Sequence, residues 1–219
     1  MSRSVLLVCG ILSSLLYAAM VVVTPMLWES YSSASQTISE LSAIGAPTRS
    51  LWAVPGAFHT VLVMAFGWGV WESAGRIRAL RVSGALILAY GSLGLLWPFA
   101  PMHPREVLAA GGGTLSDTIH VVLGGVTVVL MFGAIGFGAV ALGKRFRLYS
   151  VASLVILAAF GALTFLDAPL VSANLPTPWL GVWQRINLGV FLLWVVILAT
   201  ALLREQAPVA TGRQERLAA

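Results

Sequence analysis

The sequence predicts an all-α protein, a polytopic membrane bundle of six transmembrane helices, and three observations carry that prediction. Of the 219 residues, 58% are hydrophobic and only 10% charged, with a mean hydropathy of +0.91; a soluble domain carries roughly a quarter charged residues. The apolar residues gather into six runs, each near the roughly 20 residues that a helix needs to cross a bilayer core of about 30 Å. The connections alternate, with the short and basic "ESAGRIRALR" and "GKRFRLYS" following the second and fourth runs. Those after the first, third and fifth runs are richer in Ser, Gly and Pro.

The six spans are expected at about 5–27, 51–72, 82–100, 117–142, 149–167 and 180–203, in one domain covering 1–204. The first follows Arg3, but its apolar stretch exceeds the roughly 7–15 residues of a secretory signal and has no small-x-small cleavage site. Of the 13 basic residues, only Arg49, Arg105 and Arg185 fall on the side of the long connections. The positive-inside rule therefore puts both termini of a multi-pass membrane protein in the cytoplasm. The polar stretch "EQAPVATGRQERLAA", 205–219, is expected to form a cytoplasmic, disordered tail.

Small residues let membrane helices approach closely, and Gly84, Gly91, Gly94, Gly124, Gly125, Gly133 and Gly136 are expected to do so. Trp28, Trp52, Trp97, Trp179 and Trp183 suit the outer interface and Trp71 the inner one. The basic residues form no continuous stripe, so the net charge of +5 reads as topology and no nucleic-acid partner is expected. Cys9 is the only cysteine, which leaves no disulfide framework and no thiolate metal set.

The ionisable residues outside the basic clusters concentrate at the outer end. In "GGGTLSDTIHVVLGG", Asp117 and His120 share a face of the fourth span's first turns. Ser116 or Thr114 is the expected cap, and a carboxylate at Asp117 suits the positive end of the helix dipole. His59 sits at a similar depth in the second span, and His103 follows the third between Pro101 and Pro104. Imidazoles with a carboxylate suit a divalent metal such as zinc, so His59, His103, His120 and Asp117 are the candidate metal set. No H-E-x-x-H or H-x-x-x-H spacing accompanies them. A haem held by His59 and His120 has no other support, and Gly111–Gly113 lacks the Lys and Ser/Thr of a phosphate loop, so it is expected to act as a hinge.

The first outer connection, "WESYSSASQTISELSAIGAPTRSLW", repeats Ile38, Leu41 and Ile44 at helical spacing. A short amphipathic helix beginning at Ser35 or Thr37 and lying over the bundle is expected. Glu40 on it would face water or the mouth of the bundle. Arg185, at the start of the sixth span, is expected to pair with Glu40 or Asp167 or to hold an anionic headgroup.

The runs "YSSASQTISELSAIGAPTRSLW", "PMHPREVLAAGGGTLSDTIH" and "WQRINLGVFLLWVV" resemble the bacterial and archaeal membrane proteins grouped as domain of unknown function 998, over nearly the whole chain. The resemblance implies a six-helix fold without an assigned reaction. It marks Ser39 and Glu40, His103, Asp117 with His120, and Arg185 as family positions. A looser similarity to intramembrane metal-dependent hydrolases stops at the late H-x-x-x-H pair, which this chain lacks.

These readings converge on an outward-facing polar pocket that binds a lipid-like or small amphipathic ligand through Ser39, Glu40 and Arg185. Its enzymatic version uses Asp117 or Glu40 as general base on metal-activated water, or as the acid in an isoprenoid-like rearrangement. The competing readings are a non-catalytic scaffold or accessory membrane subunit and, less favoured because the spans lack mid-membrane charge, a small transporter.

Overall fold

The computed structural model describes residues 1–205 in full and the backbone of 206–217. Past Glu205, the tail expected at 205–219 lies outside the fully described residues. Helix α1 (Arg3–Val23) runs into a 3-10 turn, Thr24–Leu27; α2 is Arg49–Ser73, and α3 is Arg78–Leu93 with a 3-10 turn at Trp97–Phe99. A short α4 (Arg105–Ala109), which the sequence reading did not anticipate, precedes α5 (Leu115–Ala141), α6 (Lys144–Ser172) and α7 (Leu180–Leu217). Six of these segments, all but α4, are long and apolar enough to cross a membrane. Among the described residues there is no strand.

The helices start earlier than hydropathy alone suggests at the basic end. Arg78 and Arg81 already belong to α3, and Lys144, Arg145 and Arg147 to α6. Lys and Arg are good helix formers, and a helix end in polar surroundings keeps its charges hydrated while its backbone stays paired. At the other terminus of the chain, Ser2 caps α1 by accepting from the Val5 amide at 3.4 Å.

Each apolar helix packs on the next, α1 on α2, α2 on α3, α3 on α5, α5 on α6 and α6 on α7, and α7 returns to α1. Short connections make sequence neighbours antiparallel neighbours, so the chain closes a ring. Its interior is filled by Phe66, Ile87, Ile135, Leu157, Phe191, Trp194 and Leu198, all essentially inaccessible. The Trp194 indole N–H donates to Ser150 Oγ at 3.0 Å, which satisfies the one polar atom that so large a side chain brings into the core. The outer faces carry exposed apolar side chains, among them Val155, Phe165 and Leu166 of α6, the composition that hydrocarbon contact requires.

Only some of the expected packing glycines lie at contacts. A Cβ on Gly84 would sit 2.6 Å from the Trp71 amide nitrogen, and one on Gly67 would sit 2.6 Å from that of Leu88. Helices α2 and α3 therefore touch backbone to backbone. Gly91, Gly94 and Gly133 also meet neighbours, whereas a Cβ on Gly124, Gly125 or Gly136 would meet nothing within 4 Å. Gly84→Leu should destabilise the fold by about 1–3 kcal/mol or more, the usual cost of overpacking, while Gly136→Ala should leave it unchanged. Thermal melts of the two variants in detergent check this contrast.

Candidate functional site

The end of the bundle that carries the long connections, here the loop end, is organised by the first of them. Thr37 and Glu40 form a capping box: the Glu40 amide donates to Thr37 Oγ1 at 3.2 Å and the Thr37 amide to Glu40 Oε2 at 2.6 Å. The turn they start is a single 3-10 turn, Ile38–Ser42, rather than a longer amphipathic helix. Gly45, at φ +81°, and Pro47 redirect the chain before another turn can form. Leu41 is driven fully into the bundle, as its helical spacing with Ile38 and Ile44 implied.

Glu40 points inward and is 3% exposed. Arg105, on α4, takes it side-on, with Nε donating to Oε1 at 2.6 Å and Nη2 to Oε2 at 3.0 Å. The same guanidinium donates through Nη1 to Thr177 Oγ1 at 2.9 Å and through Nη2 to the Ser35 carbonyl at 3.1 Å. Thr177 Oγ1 in turn donates to that carbonyl at 2.8 Å. One ion pair thus joins the connections after the first, third and fifth spans. Burial pushes the Glu40 carboxyl up, but hydrogen bonds from Arg105 and the Thr37 amide, with the Arg105 charge, outweigh it and hold the group below its ordinary value. Both carboxylate oxygens are engaged, since Thr37 Oγ1 and Gln36 Nε2 donate as well.

A second polar group fastens the third connection to α5. Thr114, one of the two expected caps, is the N-cap and makes a capping box with Asp117. Asp117 accepts from the Thr114 amide at 2.8 Å, from the His103 amide at 2.7 Å and from His103 Nδ1 at 2.8 Å. Ser116 Oγ donates to the Pro101 carbonyl at 2.7 Å, and His120 Nδ1 donates to the Ala100 carbonyl at 2.8 Å. Residues 100–103 are therefore strapped along one face of α5. Gly111, at φ +80°, closes the end of α4 in a conformation that suits glycine.

His59 stands apart from this strap. It lies in α2, 8% exposed, with Nδ1 donating to the Ser13 carbonyl of α1 at 3.1 Å and its ring against Tyr17 at 4.7 Å between centroids. It also lines a cavity of about 10 Å³ with Ser13, Ser14 and Tyr90.

The metal set expected from His59, His103, His120 and Asp117 is not assembled. Among the described residues, no three His, Cys, Asp or Glu side chains form a metal-binding group. Direct coordination needs each ligand atom about 2 Å from one ion, and here the imidazoles are anchored through Nδ1 to three different partners. Asp117 and Glu40, the candidate acid–base residues, each spend both oxygens on hydrogen bonds that shape the loops. Ser39 is half-buried, its carbonyl accepting from Ser42 Oγ at 3.1 Å.

Arg185 pairs with neither Glu40 nor Asp167. Its Nη1 donates to the carbonyls of Ser33 at 2.8 Å, Gly181 at 3.0 Å and Gln36 at 3.3 Å, and its Nη2 to Tyr31 Oη at 2.9 Å. Gly181 makes that contact possible, because a Cβ there would strike the Ser33 and Gln36 carbonyls. The Ala34 carbonyl accepts from the Gly181 and Val182 amides and so caps α7. Beside Arg185, α1 and α7 part to leave an open groove of about 410 Å³, walled by Ala18, Val21, Val22, Leu188, Gly189 and Leu192, with Ser33 at its rim. Sequence reasoning missed Arg105, Tyr31 and Thr177 as the partners that settle Glu40 and Arg185. Arg105 carried the only signal, as one of three arginines at the same end of the bundle.

Removing Arg105 would leave Glu40 buried without its counter-ion. Arg105→Ala should therefore cost about 3–5 kcal/mol, the usual penalty for breaking one side of a buried pair. Because the folded Glu40 carboxyl is held low, its contribution to stability should be complete above the ordinary carboxylate range. It should be lost as pH falls through the lower folded value, and Glu40→Gln should remove this dependence. Melting temperatures of wild type and both variants across acidic pH measure the effect.

No curated protein and no solved structure matches the chain. A family model described as protein of unknown function (DUF998) matches residues 11–201. With nearly all six spans and every loop-end group inside that match, the chain belongs to the DUF998 family of proteins of unknown function.

Proposed function

We propose that this membrane protein binds an amphipathic, lipid-like ligand at the loop end, on the side facing away from the cytoplasm, with the apolar part of the ligand in the groove between α1 and α7. The observation that carries the reading is the groove itself. It lies where the first and last helices of the ring meet, its walls are aliphatic, and its upper rim is polar, at Arg185 and Ser33. A ligand with one apolar and one polar end matches that division. The volume is in the range of small-molecule sites, about 300–1,000 Å³.

The orientation follows from the basic residues gathered at the opposite end of the bundle. Binding without chemistry is favoured over hydrolysis because the carboxylates at the loop end are committed to capping and ion pairing. The saturated cap suits equally an accessory subunit that presents bound lipid to another envelope protein.

Gly189 lines the groove and has nothing within 4 Å of the position a Cβ would take. Gly189→Leu should therefore fill the groove while leaving the fold intact. Lipid bound to the purified protein, counted by native mass spectrometry, should fall to the background level in Gly189→Leu with an unchanged melting temperature. Equal lipid retention by the two proteins would sink the groove as the binding site.

A further inference from the structure

We infer that the ligand of this groove carries a net-anionic headgroup, a phosphate ester with no balancing ammonium, and that Arg185 is the residue that selects it. This rests on the groove being the ligand site and adds the headgroup class, which aliphatic walls alone do not specify.

The inference comes from comparing Arg105 and Arg185, the two of the three loop-end arginines whose guanidinium hydrogen bonds are defined. Arg105 presents its Nε–Nη2 edge to the Glu40 carboxylate, and its charge is cancelled at that contact. Arg185 is equally tethered, but every oxygen it touches is neutral: three carbonyls and one phenol hydroxyl. Among the described residues it has no carboxylate partner. Its guanidinium also stands 5.7 Å from the centroid of the Tyr31 ring, which helps fix its plane. The tethers run mainly through Nη1, and among the described residues Nε–H has no acceptor and Nη2 donates to Tyr31 alone. That is the edge with which Arg105 receives two carboxylate oxygens.

A fixed, uncompensated cation at the top of an apolar groove is a poor arrangement for a neutral headgroup and a good one for an anion. A guanidinium matches phosphate oxygens geometrically and keeps its charge at any working pH. The surrounding apolar walls lower the local dielectric and strengthen the attraction. The groove also explains why a lipid phosphate is favoured over the free ion, since its aliphatic length is satisfied only by a chain. Arg185 falls in the second turn of α7, at the loop end of a helix long and apolar enough to cross a membrane.

The full-length protein, purified in a non-ionic detergent, is titrated with short-chain phosphatidic acid, phosphatidylglycerol and phosphatidylcholine, and bound lipid is read by native mass spectrometry. Phosphatidic acid and phosphatidylglycerol should bind about tenfold or more tighter than phosphatidylcholine, the scale of one charge-assisted contact. Arg185→Gln should abolish the preference for the two anionic lipids, and Arg185→Lys should restore part of it. Since Arg185 also holds the first connection, Gly189→Leu provides a second variant with every Arg185 tether in place, and it should lose all three lipids. Equal binding of anionic and zwitterionic lipid by the wild type would overturn the headgroup assignment while leaving the groove as a lipid site. Binding of none of them would overturn both. If inorganic phosphate displaced phosphatidic acid at equal concentration, and Gly189→Leu bound phosphatidic acid normally, the site would be one for a free anion and the lipid assignment would fail.

Discussion

A carboxylate with almost no exposure must be neutralised and hydrogen-bonded or it will not stay charged, and the loop end of this protein is arranged around that requirement at Glu40. Satisfying it takes Thr37 from the same turn, Arg105 from α4, and through Arg105 the Thr177 hydroxyl and the Ser35 carbonyl. Three connections that would otherwise be independent are held by one charge. The first connection then has a defined path, and its carbonyls reach α7, where Ala34 caps the helix and Ser33 and Gln36 take Arg185. The position of Arg185 over the groove follows from the position of Glu40.

The same economy separates structural polar groups from available ones. Around Asp117, the carboxylate, Ser116 and His120 all reach back to residues 100–103, which fixes the strap and exhausts the acceptors. At Arg185 the donors exceed the acceptors, and no carboxylate balances the charge. A site is more readily recognised by such an imbalance than by a concentration of ionisable residues. The histidines illustrate the point: they lie at the same end in sequence, yet each is occupied locally.

The ring itself supplies the groove. Helices α2 and α3 meet backbone to backbone at Gly67 and Gly84, and Gly138 lies against the Trp194 ring. At the seam between α1 and α7, Ser14 Oγ lies 3.2 Å from the Leu192 carbonyl, and nearer the loop end the small residues Ala18 and Gly189 leave the space unfilled. The open groove thus lies at the seam where the two ends of the ring join.

Hydropathy and length alone determined the six helices, since a chain segment in hydrocarbon must pair its own backbone groups and a helix is the local way to do so. The two capped helix starts were legible in part, with Thr114 beside Ser116 as the expected cap and Thr37 beside Ser35 as the expected start, because caps act within a few residues; the reciprocal boxes with Asp117 and Glu40 were not read. Which glycines face a neighbour could not be read, since the close approach at Gly84 depends on where another helix, α2, passes. The partners of Glu40 and Arg185 were likewise decided by tertiary structure. Arg105 lies 65 positions from Glu40, and Arg185 meets the backbone of residues about 150 positions away. Local sequence fixes which groups are charged and where helices begin; which charges are cancelled, and which one is left to face the groove, depends on how the ring closes.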